Sequence, residues 1–121
     1  MKLTISAVAL FFVLQTPIQS QTWQEMLNER PVLKELAVCE SGINPQAINP
    51  HDGGSPSFGL FQYKLDTFYR YNLKYKIYPN IEEAEIENII FEPKGQILLA
   101  EKMLNDGEWR NWYTCLKGRF L

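Results

Sequence analysis

"PVLKELAVCESG", residues 31–42, opens on a proline suited to the first turn of a helix and closes on a glycine suited to its stop. Between them Leu33, Leu36 and Ala37 recur at helical spacing, which predicts a helix over 31–41 with one buried face. Glu40 continues that series, four residues after Leu36 and three after Ala37. A carboxylic acid therefore stands where the pattern calls for another core residue. Desolvation disfavours its charged form and raises its pKa, so such an acid can stay protonated near neutrality and give its proton to a leaving oxygen. The same position also suits an acid that caps backbone amides or reaches out to water. Helical spacing alone does not separate the two.

Upstream, Thr22 and Glu25 are spaced as a capping box for a short helix over 23–29. Downstream, residues 44–59 carry three prolines around "NPHDGG" and read as an irregular loop, long enough to be functional. "LFQYKL" (60–65) suits a short extended piece, and a helix is expected to start at Asp66 or Thr67, with Phe68, Tyr71 and Tyr75 on one face. A helix over 82–90 turns Ile86, Ile89 and Ile90 inward, while Glu82, Glu83, Glu85 and Glu87 form a solvated acidic face. Pro93 opens the longest helix, 93–106, with Ile97, Leu98, Ala100, Met103 and Leu104 toward the core and Gly107 ending it. No strand ladder, repeat or low-complexity segment is evident. The fold class is mainly α: a small domain of five or six short helices with an irregular loop.

The 121 residues leave room for one domain. Twelve Lys and Arg stand against 14 Asp and Glu, for a net charge of −2, and no basic patch recruits nucleic acid. Lys2 precedes the apolar run "LTISAVALFFVL" (3–14), followed by polar residues and Ser20, which reads as a secretory signal peptide. The run is shorter than the roughly 20 apolar residues of a spanning helix. The expected division is a signal peptide over 1–20 and a folded domain over 21–121, cleaved near Ser20–Gln21. The mature protein is then secreted or periplasmic, a monomer without a lasting membrane anchor. In an oxidising compartment Cys39 and Cys115 argue for one disulfide, contributing roughly 4–5 kcal/mol in the chain-entropy model. Two thiols and His51 lack metal-ligand spacing. No metal or cofactor is expected, and His51 reads as a solvated loop residue.

"CESG" with its Asn/Pro loop, "GLFQ" (59–62) and "TF" (67–68) resembles the resuscitation-promoting factors of actinobacteria. The resemblance continues through "QILLAEKMLNDGEWRNWYTC" (96–115). "ESGINPQAIN" with "GLFQ" is similar to the soluble lytic transglycosylases. These likenesses imply a lysozyme-like fold that cleaves peptidoglycan glycan strands between N-acetylmuramic acid and N-acetylglucosamine. By position, Glu40 matches the catalytic acid, Gln62 a glutamine lining the saccharide cleft and Thr67 a threonine beside it. Cys39 and Cys115 match the disulfide pair. Asn49 stands where the transglycosylase motif has Ser, as an amide able to orient the sugar. The loop before Gly59 is longer than in either family, the "AYNAG" motif is missing, and Leu33 replaces a Trp.

A glycosidase often needs a second carboxylate. Asp52 and Asp66 are the nearby candidates, although a turn role for Asp52 and a cap role for Asp66 are the stronger readings. A lone acid fits a lytic transglycosylase; a partnered one fits a hydrolytic lysozyme; a fold without turnover fits a saccharide-binding module. Tyr63, Tyr69, Tyr71, Trp109, Trp112 and Tyr113 are candidate sugar-stacking residues, most of them expected in the core. Tyr63, beside Gln62, is the expected cleft aromatic, and Trp112 is expected against the disulfide.

Overall fold

A computed structural model describes residues 20–120. The apolar run read as a signal peptide lies outside the described residues. Helix α1 (Trp23–Asn28) starts on Thr22, whose hydroxyl oxygen accepts from the Glu25 amide at 3.1 Å. Helix α2 (Pro31–Ser41) has the expected span and buries Leu33, Leu36 and Ala37. It stops where Gly42 turns left-handed, at φ +66°.

The loop that follows holds a feature the sequence did not announce. Strands β1 (Ile48–Asn49) and β2 (Ser57–Phe58) pair antiparallel, Ile48 opposite Phe58 and Asn49 opposite Ser57. Two residues per strand are too few for alternation to register as a pattern. A 3₁₀ turn, Asp52–Gly54, lies between them. The expected extended piece at 60–65 is instead a tight turn, closed by reciprocal backbone bonds of 2.9 Å between Phe58 and Tyr63. Helix α3 (Leu65–Tyr75) begins with Lys64 in the cap position. Asp66 falls in its first turn, where its carboxylate accepts from the Thr67 amide.

The expected helix at 82–90 divides into a 3₁₀ turn, Glu83–Glu85, and α4 (Ile86–Ile89). Helix α5 (Pro93–Asn105) is the axis of the domain and packs against α1, α2 and α3. Because helices cover it on more than one side, its buried set is wider than a single stripe. Ile97, Leu99, Ala100 and Met103 are fully buried, while Leu98 and Leu104 are only partly so. A 3₁₀ turn, Trp109–Trp112, leads into α6 (Tyr113–Phe120), which returns to pack on α2. Cys39 and Cys115 are joined there, with Cα atoms 5.9 Å apart. Six α-helices and one disulfide among the described residues make the fold mainly helical, as expected. None of these helices is long and apolar enough to cross a membrane.

One buried amide organises the interior. Gln96 Oε1 accepts from the Leu60 amide at 2.9 Å, while Nε2 donates to the carbonyls of Ile90 at 2.7 Å and Pro45 at 3.1 Å. The loop after α2, the turn at Leu60 and the start of α5 therefore meet at one side chain. Gly59 is needed beside it: a Cβ at that position would come within 2.6 Å of Gln96 Nε2, and the backbone is left-handed at φ +82°.

Candidate active site

Glu40 sits in the last turn of α2, half-buried, on the wall of a cavity of about 470 Å³. Cys39, Asp52, Gln62, Arg110 and Tyr113 line the same cavity. Burial first, and the Asp52 carboxylate second, push the Glu40 carboxyl from its ordinary 4.5 up to about 7. Among the described residues no Lys or Arg forms an ion pair with it. The carboxyl can therefore carry a proton near neutrality.

Three devices hold that position. The disulfide ties the preceding residue to α6. The Oγ of the following residue, Ser41, lies 2.9 Å from the Leu60 carbonyl oxygen and itself accepts from the Asn44 amide at 3.1 Å. Beyond it the backbone takes two left-handed residues in succession, Gly42 at φ +66° and Ile43 at φ +61°. A β-branched residue in this region is strained, and such strain collects around functional sites.

Gln62 lines the cavity together with Glu40 and is itself left-handed, at φ +54°. Its Nε2 donates to the Gly59 carbonyl at 3.0 Å. Gln62, Asp52, Asn111 and Trp112 also line an adjoining cavity of about 100 Å³, so the two form one groove. Thr67 borders the smaller part. Asp52 accepts from the Ser57 hydroxyl at 2.6 Å, and Lys64 Nζ lies 3.7 Å from the same carboxylate oxygen. Lys64 also donates to the backbone carbonyls of Asp52 and Ser55. Asp66 lies apart, bordering a different cavity with Glu83 and Glu87, so it does not partner Glu40. Asn49 is exposed on β1, where its side chain accepts from the His51 amide; it is not among the groove-lining residues.

Residues 16–117 match the family described as Transglycosylase SLT domain. The chain belongs to that family. Comparisons with curated proteins and with solved structures each found no significant match. Membership fits the resemblance read from the motifs and makes this a peptidoglycan-cleaving type of domain within the lysozyme-like superfamily.

Most of the candidate aromatics of this SLT domain are buried or half-buried, as expected. Tyr63 borders the smaller cavity of the groove, but almost all of its ring is in the core. Its pairing with Phe58 turns the ring inward, where it is 2% exposed, and its hydroxyl donates to the Gln96 carbonyl at 2.7 Å. Trp112 is buried as well, packs edge-on to Phe61 and Tyr63, and donates its indole N–H to the Phe61 carbonyl at 2.8 Å. The exposed aromatic on the groove is Tyr113, 49% exposed and stacked on Trp109 with ring centroids 6.1 Å apart. Arg110, Asn111 and Thr114 line the groove without having been singled out in the sequence. The available signal was the Trp109–Trp112 pair: if Trp112 points to the core, the residues between it and Trp109 can face out. The acidic residues at 82–87 are exposed, and no group of described residues has the ligands to hold a metal.

Proposed function

We propose that this SLT domain is an exported lytic transglycosylase that cleaves the bond between N-acetylmuramic acid and N-acetylglucosamine, with Glu40 as its catalytic acid and then base. Glu40 gives its proton to the glycosidic oxygen as the bond from muramyl C1 breaks. The muramyl 6-hydroxyl then bonds to C1 and passes its proton to the Glu40 carboxylate. A 1,6-anhydro ring closes, no water is consumed, and Glu40 is again protonated. The observation that carries this reading is a carboxyl on the groove wall with its pKa raised to about 7. Gln62, Thr67 and Tyr113 are the side chains offered to the saccharide; Asn49 is not part of this set. The unit that acts is residues 21–121, a monomer released from a signal peptide over 1–20.

A second reading has an observation of its own. Asp52 shares the groove with Glu40 and is the charge that acts on it, so a hydrolytic lysozyme with Asp52 as second carboxylate is the rival. Its bonds to Ser57 and Lys64 favour a structural Asp52. Mass spectrometry of muropeptides released from purified peptidoglycan separates the two. Anhydromuramyl ends are expected; reducing muramic acid ends would replace the transglycosylase with the hydrolase. Glu40→Gln should lower release by at least about 100-fold, the scale of a lost general acid. No clearing of cell walls above a protein-free control, by wild type and variant alike, would leave only a saccharide-binding module.

A further inference from the structure

We propose that Arg110 forms an anion subsite in the groove, taking a carboxylate carried by the muramic acid residue or its stem peptide. The inference rests on the peptidoglycan-cleaving reading and names the feature of the glycan that the groove selects.

Arg110 lines the same 470 Å³ cavity as Glu40, on the 3₁₀ turn Trp109–Trp112, with an exposed side chain. The other cation of the groove among the described residues, Lys64, is committed to Asp52 and to the Ser55 carbonyl. Among the described ion pairs Arg110 has no carboxylate partner. Arg110 and Glu40 thus line one cavity without forming an ion pair with each other.

The turn that presents Arg110 is fixed at both ends. On one side Asn111 Nδ2 donates to the Glu108 carbonyl at 2.9 Å, and the Glu108 carboxylate accepts from the Tyr71 hydroxyl at 2.8 Å. On the other side the Trp112 indole is held by the Phe61 carbonyl. A planar guanidinium on a fixed backbone suits bidentate recognition of a carboxylate. N-acetylglucosamine carries no charge. Muramic acid carries a lactyl carboxyl, free in strands without peptide; where a peptide is attached through it, the peptide supplies carboxylates instead.

The test compares the full chain carrying Glu40→Gln with the double variant E40Q/R110Q, so that bound glycans stay intact. Affinity is measured for peptide-bearing strands, for strands stripped of peptide by an amidase, and for N-acetylglucosamine oligomers. Loss of one charge-assisted contact predicts about a tenfold weaker affinity for the carboxylate-bearing strands and less than about a twofold change for the neutral oligomers. The difference should shrink as salt rises, and Arg110→Lys should restore part of it. Loss on stripped strands assigns the lactyl carboxylate; loss confined to peptide-bearing strands assigns the peptide. Equal loss on all three glycans, or none, overturns the subsite. Cleavage by the wild type is scored separately. Binding discrimination without any cleavage would leave the subsite standing and remove the enzymatic reading; cleavage without discrimination would do the reverse.

Discussion

The wall that carries Glu40 and the wall that carries Asp52 face the same groove but are held by different physics. The first is the end of an eleven-residue helix with Leu33, Leu36 and Ala37 in the core, a covalent link on one side of the acid and the Ser41 hydroxyl against Leu60 on the other. The second is a loop whose residues 51–56 are all exposed, held to the domain by a two-residue ladder and the ammonium of Lys64. Exposed ion pairs of this kind contribute little, typically 0–1 kcal/mol. The difference teaches where positional accuracy is concentrated: on one carboxyl rather than two. That division is what a single-acid mechanism requires.

The sharpest way to break the comparison is to weaken the first wall. Cys39→Ser with Cys115→Ser removes a link across 76 residues, and the chain-entropy model puts the loss at about 4–5 kcal/mol. Chemical denaturation should show that loss with a steeper denaturant slope, because the unfolded chain without its cross-link exposes more surface. Next comes Gln96→Leu, which orphans the Leu60 amide and the carbonyls of Pro45 and Ile90. About 3 kcal/mol is expected from the unpaired groups, measured in the same way. Smallest in stability is Asp52→Asn on the second wall, expected within about 1 kcal/mol of wild type. Its effect belongs in the pH profile. Glu40 must be protonated to act, so activity falls as pH rises through about 7. Removing the Asp52 charge eases ionisation of Glu40, and the alkaline limb should move to lower pH. If the limb stays in place while turnover collapses, Asp52 is catalytic and the walls are equals after all. Stability carries the same sign. The folded state holds the Glu40 proton more tightly than the unfolded chain, so its contribution is complete below 4.5 and declines as pH rises to about 7. Glu40→Gln should flatten that decline in thermal melts.

Much of the first wall was legible in the residues themselves. Pro31, the Leu33–Leu36–Ala37 series and Gly42 mark a helix by local rules, and Glu40 stands out as a charge on its apolar stripe. The disulfide followed from cysteine count and compartment. The second wall was not legible, because its ladder is too short for periodicity and its charges find partners only through the fold. Adjacency to Gln62 placed Tyr63 at the cleft, where it borders the smaller cavity, but gave no sign that one bridge to Phe58 buries its ring. Gln96 gave no local sign of its role, since a glutamine in a helix is ordinarily a solvated residue. Only the meeting of three segments around it makes its amide structural. Arg110 and Tyr113 reach the groove through a 3₁₀ turn, whose tighter winding shifts side chains away from α-helical spacing.

The position of Glu40 within α2 has one more effect. Backbone carbonyls crowd the C-terminal end of a helix, and their aligned dipoles act as a fractional negative charge of about half an electron. The carboxyl lies within that field because it belongs to the last turn of Pro31–Ser41. A negative charge on Glu40 is therefore opposed by the main chain itself, in addition to burial and Asp52, and side-chain replacement elsewhere leaves that opposition in place. In the proposed reaction the same field acts twice. It keeps the proton on the acid until the glycosidic oxygen can take it, and it makes the bare carboxylate a stronger base for the sugar hydroxyl that follows.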